Sequence, residues 1–184
     1  MRKENKYDTD RLVAAANLFD ILPEDAVPRL TGLPEALKAT RNECAKLLRE
    51  HPQSIDRDGA LSALGRLGQP SLPKKVAHRA AIVEAKLGSR FSDLQRVAKL
   101  AVKVRNYFVH GSGEIEYPRV EPFVAFLTDA LEFIFAASDF IQAGWDAQRW
   151  NSEPHGSGHT FCRFRGEYDV ALFELRRGRV RKIV

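Results

Sequence analysis

The residues Leu94, Val97, Ala101, Val104 and Phe108 recur at steps of three or four along an otherwise polar stretch. That spacing puts them on one face of an α-helix, whereas a half-buried strand would alternate every second residue. The same period runs through most of the chain. Leu12, Ala15, Phe19 and Leu22 predict a first helix from about Asp8 to Leu22, ended by Pro23 and Pro28. Pro34 is a favourable first-turn residue and opens a second helix, which stops at His51-Pro52 with Leu37, Cys44, Leu47 and Leu48 inward. A short third piece follows Asp58, with Leu61, Leu64 and Leu67 inward. Val76, Ala80, Val83 and Leu87 mark a fourth helix from Leu72 or Pro73 to Leu87, closed by Gly88. The fifth is expected to begin at an N-cap Ser92, with Asp93 in its first turn, and to end at Gly111-Ser112-Gly113. A sixth runs from near Pro122 to about Trp150.

The segment from His159 to about Arg177 fits two patterns. Phe161, Phe164, Tyr168, Leu172 and Leu175 share a helical face, while Val170, Leu172 and Glu174 could alternate in a strand, and Gly166 weakens a helix. More positions obey the 3.6 period, so helix is preferred. Asn151 to Gly158 reads as a loop. Connections are mostly short, and no repeat or long low-complexity linker interrupts them. The expectation is an all-α, antiparallel helical bundle over residues 1–184, with a flexible 1–7 and a basic tail at 176–184.

A 44% apolar, 29% charged composition is that of a globular chain with a real core. The formal net charge of +5 tilts the partner expectation towards polyanions without naming one. Part of the excess lies in Arg176, Arg177, Arg179, Arg181 and Lys182, a solvated tail or a nucleic-acid contact. Two cysteines, Cys44 and Cys162, do not make a disulfide framework, so a reduced, cytoplasmic setting is expected. MRKENKYDTD has no apolar signal-peptide core. Phe123 to Ile141 is apolar but carries Asp129, Glu132 and Asp139, which suits a buried helix better than a membrane span.

The fifth helix carries a second stripe. Arg96, Lys99, Lys103, Asn106 and His110 also fall at three- and four-residue steps, opposite the apolar one. A solvated polar face has the same look. This one ends in Arg105-Asn106-Tyr107-Phe108-Val109-His110-Gly111. Arginine binds phosphate and stabilises developing negative charge, and histidine moves protons near neutral pH, a pairing suited to phosphodiester chemistry. Gly111 leaves His110 at the helix C-terminus, where the carbonyl ends favour a cation. Arg105 is about 140° from His110 around the axis, so a single straight helix is not expected to converge the two. Unwinding at Val109–His110 or a second copy would repair this; a buried arginine bonded to backbone carbonyls is the structural alternative.

Arg105-Asn106, three residues and then His110 resembles the R-x4–6-H motif of the HEPN superfamily, and Gly111 fits its frequent RN…HG form. With LGQPSLPKKVAHRAAIVEAKLG before RNYFVHG, the chain is similar to the ApeA-type HEPN branch over about Leu64 to Ile141. The resemblance implies a four- or five-helix bundle that forms a homodimer with the two motifs facing one shared cleft. It also implies a metal-independent endoribonuclease of defence, toxin–antitoxin or RNA-processing systems. By position, Arg105 and His110 would be catalytic and Asn106 would orient them. RNA would be the substrate, because its 2′-OH supplies the nucleophile and leaves a 2′,3′-cyclic phosphate. Arg96, Lys99 and Lys103 would track the backbone, and Tyr107 would stack on a base or simply pack. An antitoxin or a sensor domain would be a regulatory partner, and the chain would be the C-terminal part of a longer protein. The alternative is a non-catalytic HEPN module that binds RNA, a nucleotide or a partner protein.

No cofactor and no metal are expected. His155, His159 and Cys162 are chemically suitable zinc ligands, but the glycines between the histidines favour a loop. His78 and His51 read as structural or exposed, and Trp145 and Trp150 as covers of core edges. There is no P-loop or dinucleotide fingerprint.

Overall fold

The structure is a computed structural model that describes residues 9–28, 33–111, 115–154 and 158–177. The expected flexible start and most of the expected basic tail lie outside the described residues. Among those described, the regular elements are all helical: α1 (Thr9–Asn17), α2 (Glu35–Glu50), α3 (Ile55–Gly65), α4 (Leu72–Leu87), α5 (Leu94–His110), α6 (Tyr117–Val120), α7 (Val124–Gln142), α8 (Ala147–Ser152) and α9 (Thr160–Arg177). The all-α fold follows from the periodicity, and Thr160–Arg177 is helix rather than strand. By contacts the chain divides into two compact units, Met1–Val27 with Leu72–Val184, and Pro28–Ser71.

In the larger unit α1, α4, α5 and α7 pack on one another, and α9 lies on α7. The apolar stripes explain why. Val76, Ala80, Val83 and Leu87 of α4 are buried, as are Leu94, Val97, Ala101 and Val104 of α5. Phe108 continues that stripe, half-buried at the edge of the core. In α7 the apolar residues surround the helix, and Leu127, Leu131, Phe133, Ile134 and Ala137 are enclosed by neighbours. Phe91, Phe133, Phe164 and Tyr168 stack together where α9 closes the bundle, with Phe133 and Phe164 centroids 4.9 Å apart. Such rings contribute more than their area alone. The Tyr168 hydroxyl donates to the Ser92 carbonyl at 2.7 Å. Burial, reinforced by the Asp93 carboxylate, pushes that hydroxyl above its ordinary pKa.

Several boundaries differ from expectation for identifiable reasons. The α-helix of α1 stops at Asn17 and tightens into a 3₁₀ turn over Leu18–Ile21, which still buries Phe19. Asp93, not Ser92, is the N-cap of α5, in the left-handed region at φ 60° and without a side-chain cap bond. Its carboxylate is drawn to Arg176 at 2.8 Å and Arg96 at 4.0 Å instead. The predicted sixth helix is broken. α7 ends at Gln142, Gly144 turns the chain at φ 92°, and Asp146 caps a separate α8 by accepting from the Arg149 N–H. Arg176 and Arg177 belong to the last turn of α9 rather than to a tail. Gly88 passes into a 3₁₀ turn that carries Phe91 into the core.

The smaller unit is a hairpin of α2 and α3. Ser54 starts α3 earlier than expected, its Oγ accepting from the Arg57 N–H at 3.1 Å. Gly68 has φ +90°, and a Cβ there would meet Leu33 Cγ at 2.9 Å, so only glycine fits that turn. The inward placement of Leu37, Cys44, Leu47, Leu48, Leu61, Leu64 and Leu67 is not what the structure has. No residue of α2 or α3 is buried, and Leu37, Leu47 and Leu67 are exposed. Two helices lying on each other cover only a strip of each, so a helical period alone does not bury its stripe.

Candidate functional site

The site is built at the C-terminal end of α5. Gly111 takes up φ 62° and its N–H caps the Tyr107 carbonyl at 3.0 Å, so the helix ends on His110 and leaves the imidazole exposed. One turn earlier, Asn106 is half-buried on the same face. Arg105 points away from that face, towards α1, yet its guanidinium curls back. Nη1 is 3.1 Å from Asn106 Oδ1 and 3.2 Å from His110 Nε2, while Nη2 donates to Asn17 Oδ1 at 2.8 Å. The expected lack of convergence within one helix is therefore corrected. The long arginine stem covers the angular gap, and Asn17 at the end of α1 holds the far side of the fork.

This geometry has two chemical consequences. Arginine offers only donors, so the contact to His110 is a hydrogen bond when Nε2 carries the lone pair and Nδ1 the proton. Among the described residues, moreover, the partners of Arg105 are two amides and an imidazole, with no carboxylate. Its Nε is buried without a hydrogen-bond partner. Among the described residues the guanidinium is thus held without a carboxylate beside it, a setting that suits an incoming anion.

The other expected residues are distributed along the helix. Arg96 and Lys99 are exposed, and Lys103 is half-buried. Tyr107 is half-buried edge-on to Phe108 at 5.4 Å, and Phe108 is edge-on to Tyr117 at 5.2 Å, so the Tyr107 ring is part of a packed aromatic row. Asn17 was missed by sequence reasoning. It lies 88 residues before Arg105, and a single asparagine at a helix end carries no signal of a distant partner.

His159 Nδ1 accepts from the Phe161 N–H at 3.2 Å at the start of α9. His155 lies outside the described residues. Among the described residues no group of three or more His, Cys, Asp and Glu gathers to hold a metal ion. No helix among them is long and apolar enough to cross a membrane.

A family model described as Apea-like HEPN matches residues 13–149, which takes in α1, the Arg105–His110 motif and α7. No curated protein matches the chain, and neither does any solved structure.

Proposed function

The chain belongs to the Apea-like HEPN family, and from that premise we propose that it is a metal-independent endoribonuclease with Arg105 and His110 as its catalytic pair. The observation that carries this reading is the Arg105 guanidinium. It is held 3.2 Å from His110 Nε2 by neutral partners, with no carboxylate among the described residues to neutralise it. A phosphate entering beside His110 meets a positioned cation with no carboxylate among its described partners.

The chemistry follows from those groups. The RNA 2′-oxygen attacks the neighbouring phosphorus, the P–O5′ bond breaks, and a 2′,3′-cyclic phosphate and a 5′-OH end result. His110 Nε2 takes the 2′-OH proton once Arg105 turns from the imidazole to the phosphate. Arg105 donates to the non-bridging oxygens as their charge grows. Asn106 and Asn17 keep the fork in place. In a homodimer with facing motifs, the second His110 delivers the proton that O5′ needs on leaving. A cytoplasmic role in defence or stress response, under an antitoxin or sensor domain, belongs to the same proposal.

The test is cleavage of an RNA panel in EDTA by the parent and by a folded His110→Ala variant of equal oligomeric state. Cleavage by the parent alone, leaving cyclic-phosphate ends, supports the proposal. Equal cleavage by both removes His110 from the site, and a strict monomer that cleaves removes the shared cleft. The second reading is a non-catalytic HEPN module binding RNA, a nucleotide or a partner. It is favoured by the engagement of both terminal Arg105 nitrogens within the fold, and inertness of both proteins on every RNA would select it.

A further inference from the structure

Between α4 and the first half of α5 lies a cleft of about 420 Å³. Its volume is in the range of small-ligand sites, roughly 300–1,000 Å³. From α4 come Pro73, Lys74 and Ala77, and from α5 Gln95, Lys99 and Val102. Arg96 also lines it, and no acidic residue does. The lining therefore combines apolar side chains, Pro73, Val76, Ala77 and Val102, with the cations Lys74, Arg96 and Lys99. The Gln95 amide is fixed, with Nε2 donating to Glu84 Oε2 at 2.6 Å and the backbone N–H to Glu84 Oε1 at 3.1 Å.

The direction of the cleft links it to the candidate active site. Gln95, Lys99, Val102, Asn106 and His110 follow one another at three- and four-residue steps on one face of α5. About 10 Å of helix axis separates Lys99 from Asn106, a distance that a short run of nucleotides crosses. A cleft lined by both apolar side chains and cations fits a flat ring carrying a phosphate. A base paired in a duplex cannot enter such a slot, whereas an unpaired base can be splayed into it.

We infer that this cleft seats one unpaired nucleotide of a single-stranded RNA, its base between Ala77 and Val102 and its phosphate at Lys74 and Lys99, so that the strand continues along α5 to Arg105 and His110. The last clause rests on the ribonuclease reading; the seat itself does not. The cleft is then where any base preference would be read.

The test uses the full chain carrying His110→Ala, with Ala77→Trp added to fill the slot. Ala77 is exposed on α4, and circular dichroism checks the fold. The probes are fluorescein-labelled single-stranded RNA octamers, the same octamers in duplex, and free nucleoside monophosphates. Ala77→Trp is expected to weaken single-strand binding at least tenfold and duplex binding far less. A second variant pair, Lys74→Glu with Lys99→Glu, should have a similar effect without filling the slot. Unchanged single-strand affinity in both overturns the inference. So does competition by a free monophosphate as effective as by the octamer, which would make the cleft a nucleotide sensor site. The two readings fail separately: cleft-dependent binding without cleavage by the parent sinks the ribonuclease and leaves the seat, while cleavage with cleft-independent binding does the reverse.

Discussion

Two arginines of the larger unit have opposite electrostatic settings. Arg79 of α4 is fully buried, and its Nη2 donates to Asp139 Oδ1 of α7 at 3.0 Å. Its Nη1 donates to Gln142. Arg105 of α5 is only half-buried, and its described partners are Asn17, Asn106 and His110. The first charge is enclosed and paired, so it ties α4 to α7. The second is half-buried at a helix end, with no carboxylate among its described partners. A fold that needed Arg105 only as a tie would gain more from a carboxylate at position 17 than from an amide. The difference between the two settings is the physical case for reading one arginine as structure and the other as site.

The comparison breaks most visibly on activity. Arg105→Ala is expected to lower RNA cleavage by about 10²–10³, while the unfolding free energy falls by only about 1–2 kcal/mol, because hydrogen bonds from a half-buried guanidinium to side chains that water can reach are lost. Single-turnover cleavage and a urea melt measured on the same sample would decide it. A variant that loses its fold along with its cleavage would put Arg105 in the same class as Arg79.

Arg79→Ala should show the reverse pattern. Removing a fully buried side chain leaves a cavity and costs about 2–4 kcal/mol, whereas Asp139, whose side chain is 65% exposed, simply rehydrates. Cleavage per folded molecule should stay within about threefold, a change worth less than 1 kcal/mol. A large fall in kcat in the folded variant would mean that the α4–α7 tie reaches the site.

Asn17→Asp sharpens the contrast in a single step. A carboxylate 2.8 Å from Nη2 would turn Arg105 into a paired arginine. Stability should hold or rise by about 0.2–1 kcal/mol, while RNA affinity and cleavage fall about tenfold, roughly 1.4 kcal/mol. Unchanged cleavage would show that the open charge of Arg105 is not what engages phosphate.

Legibility from sequence divides along similar physical lines. The stripes of α4 and α5 were readable because each side chain's face is fixed by its own helix, and the bundle buries those faces. The same reasoning failed for Leu37 and Leu47 in the hairpin. A stripe states which residues share a face and not whether anything covers it. The break at Gly144 was hidden because the apolar period of α7 runs on into Trp145 and Trp150. At the site, Arg105, Asn106 and His110 were visible as a local motif. Their convergence was not, because it depends on rotamers and on Asn17, a contact no local pattern encodes.

The smallest effect separates the helix end as structure from the helix end as site. Gly111 and Gly88 both hold positive φ, 62° and 53°, and a Cβ at either would meet nothing within 4 Å. Alanine at each position should therefore cost a similar amount, about 1 kcal/mol, from backbone strain alone. The two glycines differ in where they lie. Gly88 follows α4 near the start of α5, about 24 Å of helix from His110, while Gly111 fixes the turn on which the imidazole is carried. Matched thermal melts with unmatched cleavage are expected, Gly111→Ala losing several-fold in kcat and Gly88→Ala retaining the parent value. Equal cleavage by the two would show that the imidazole is held by Arg105 and not by the end of its own helix.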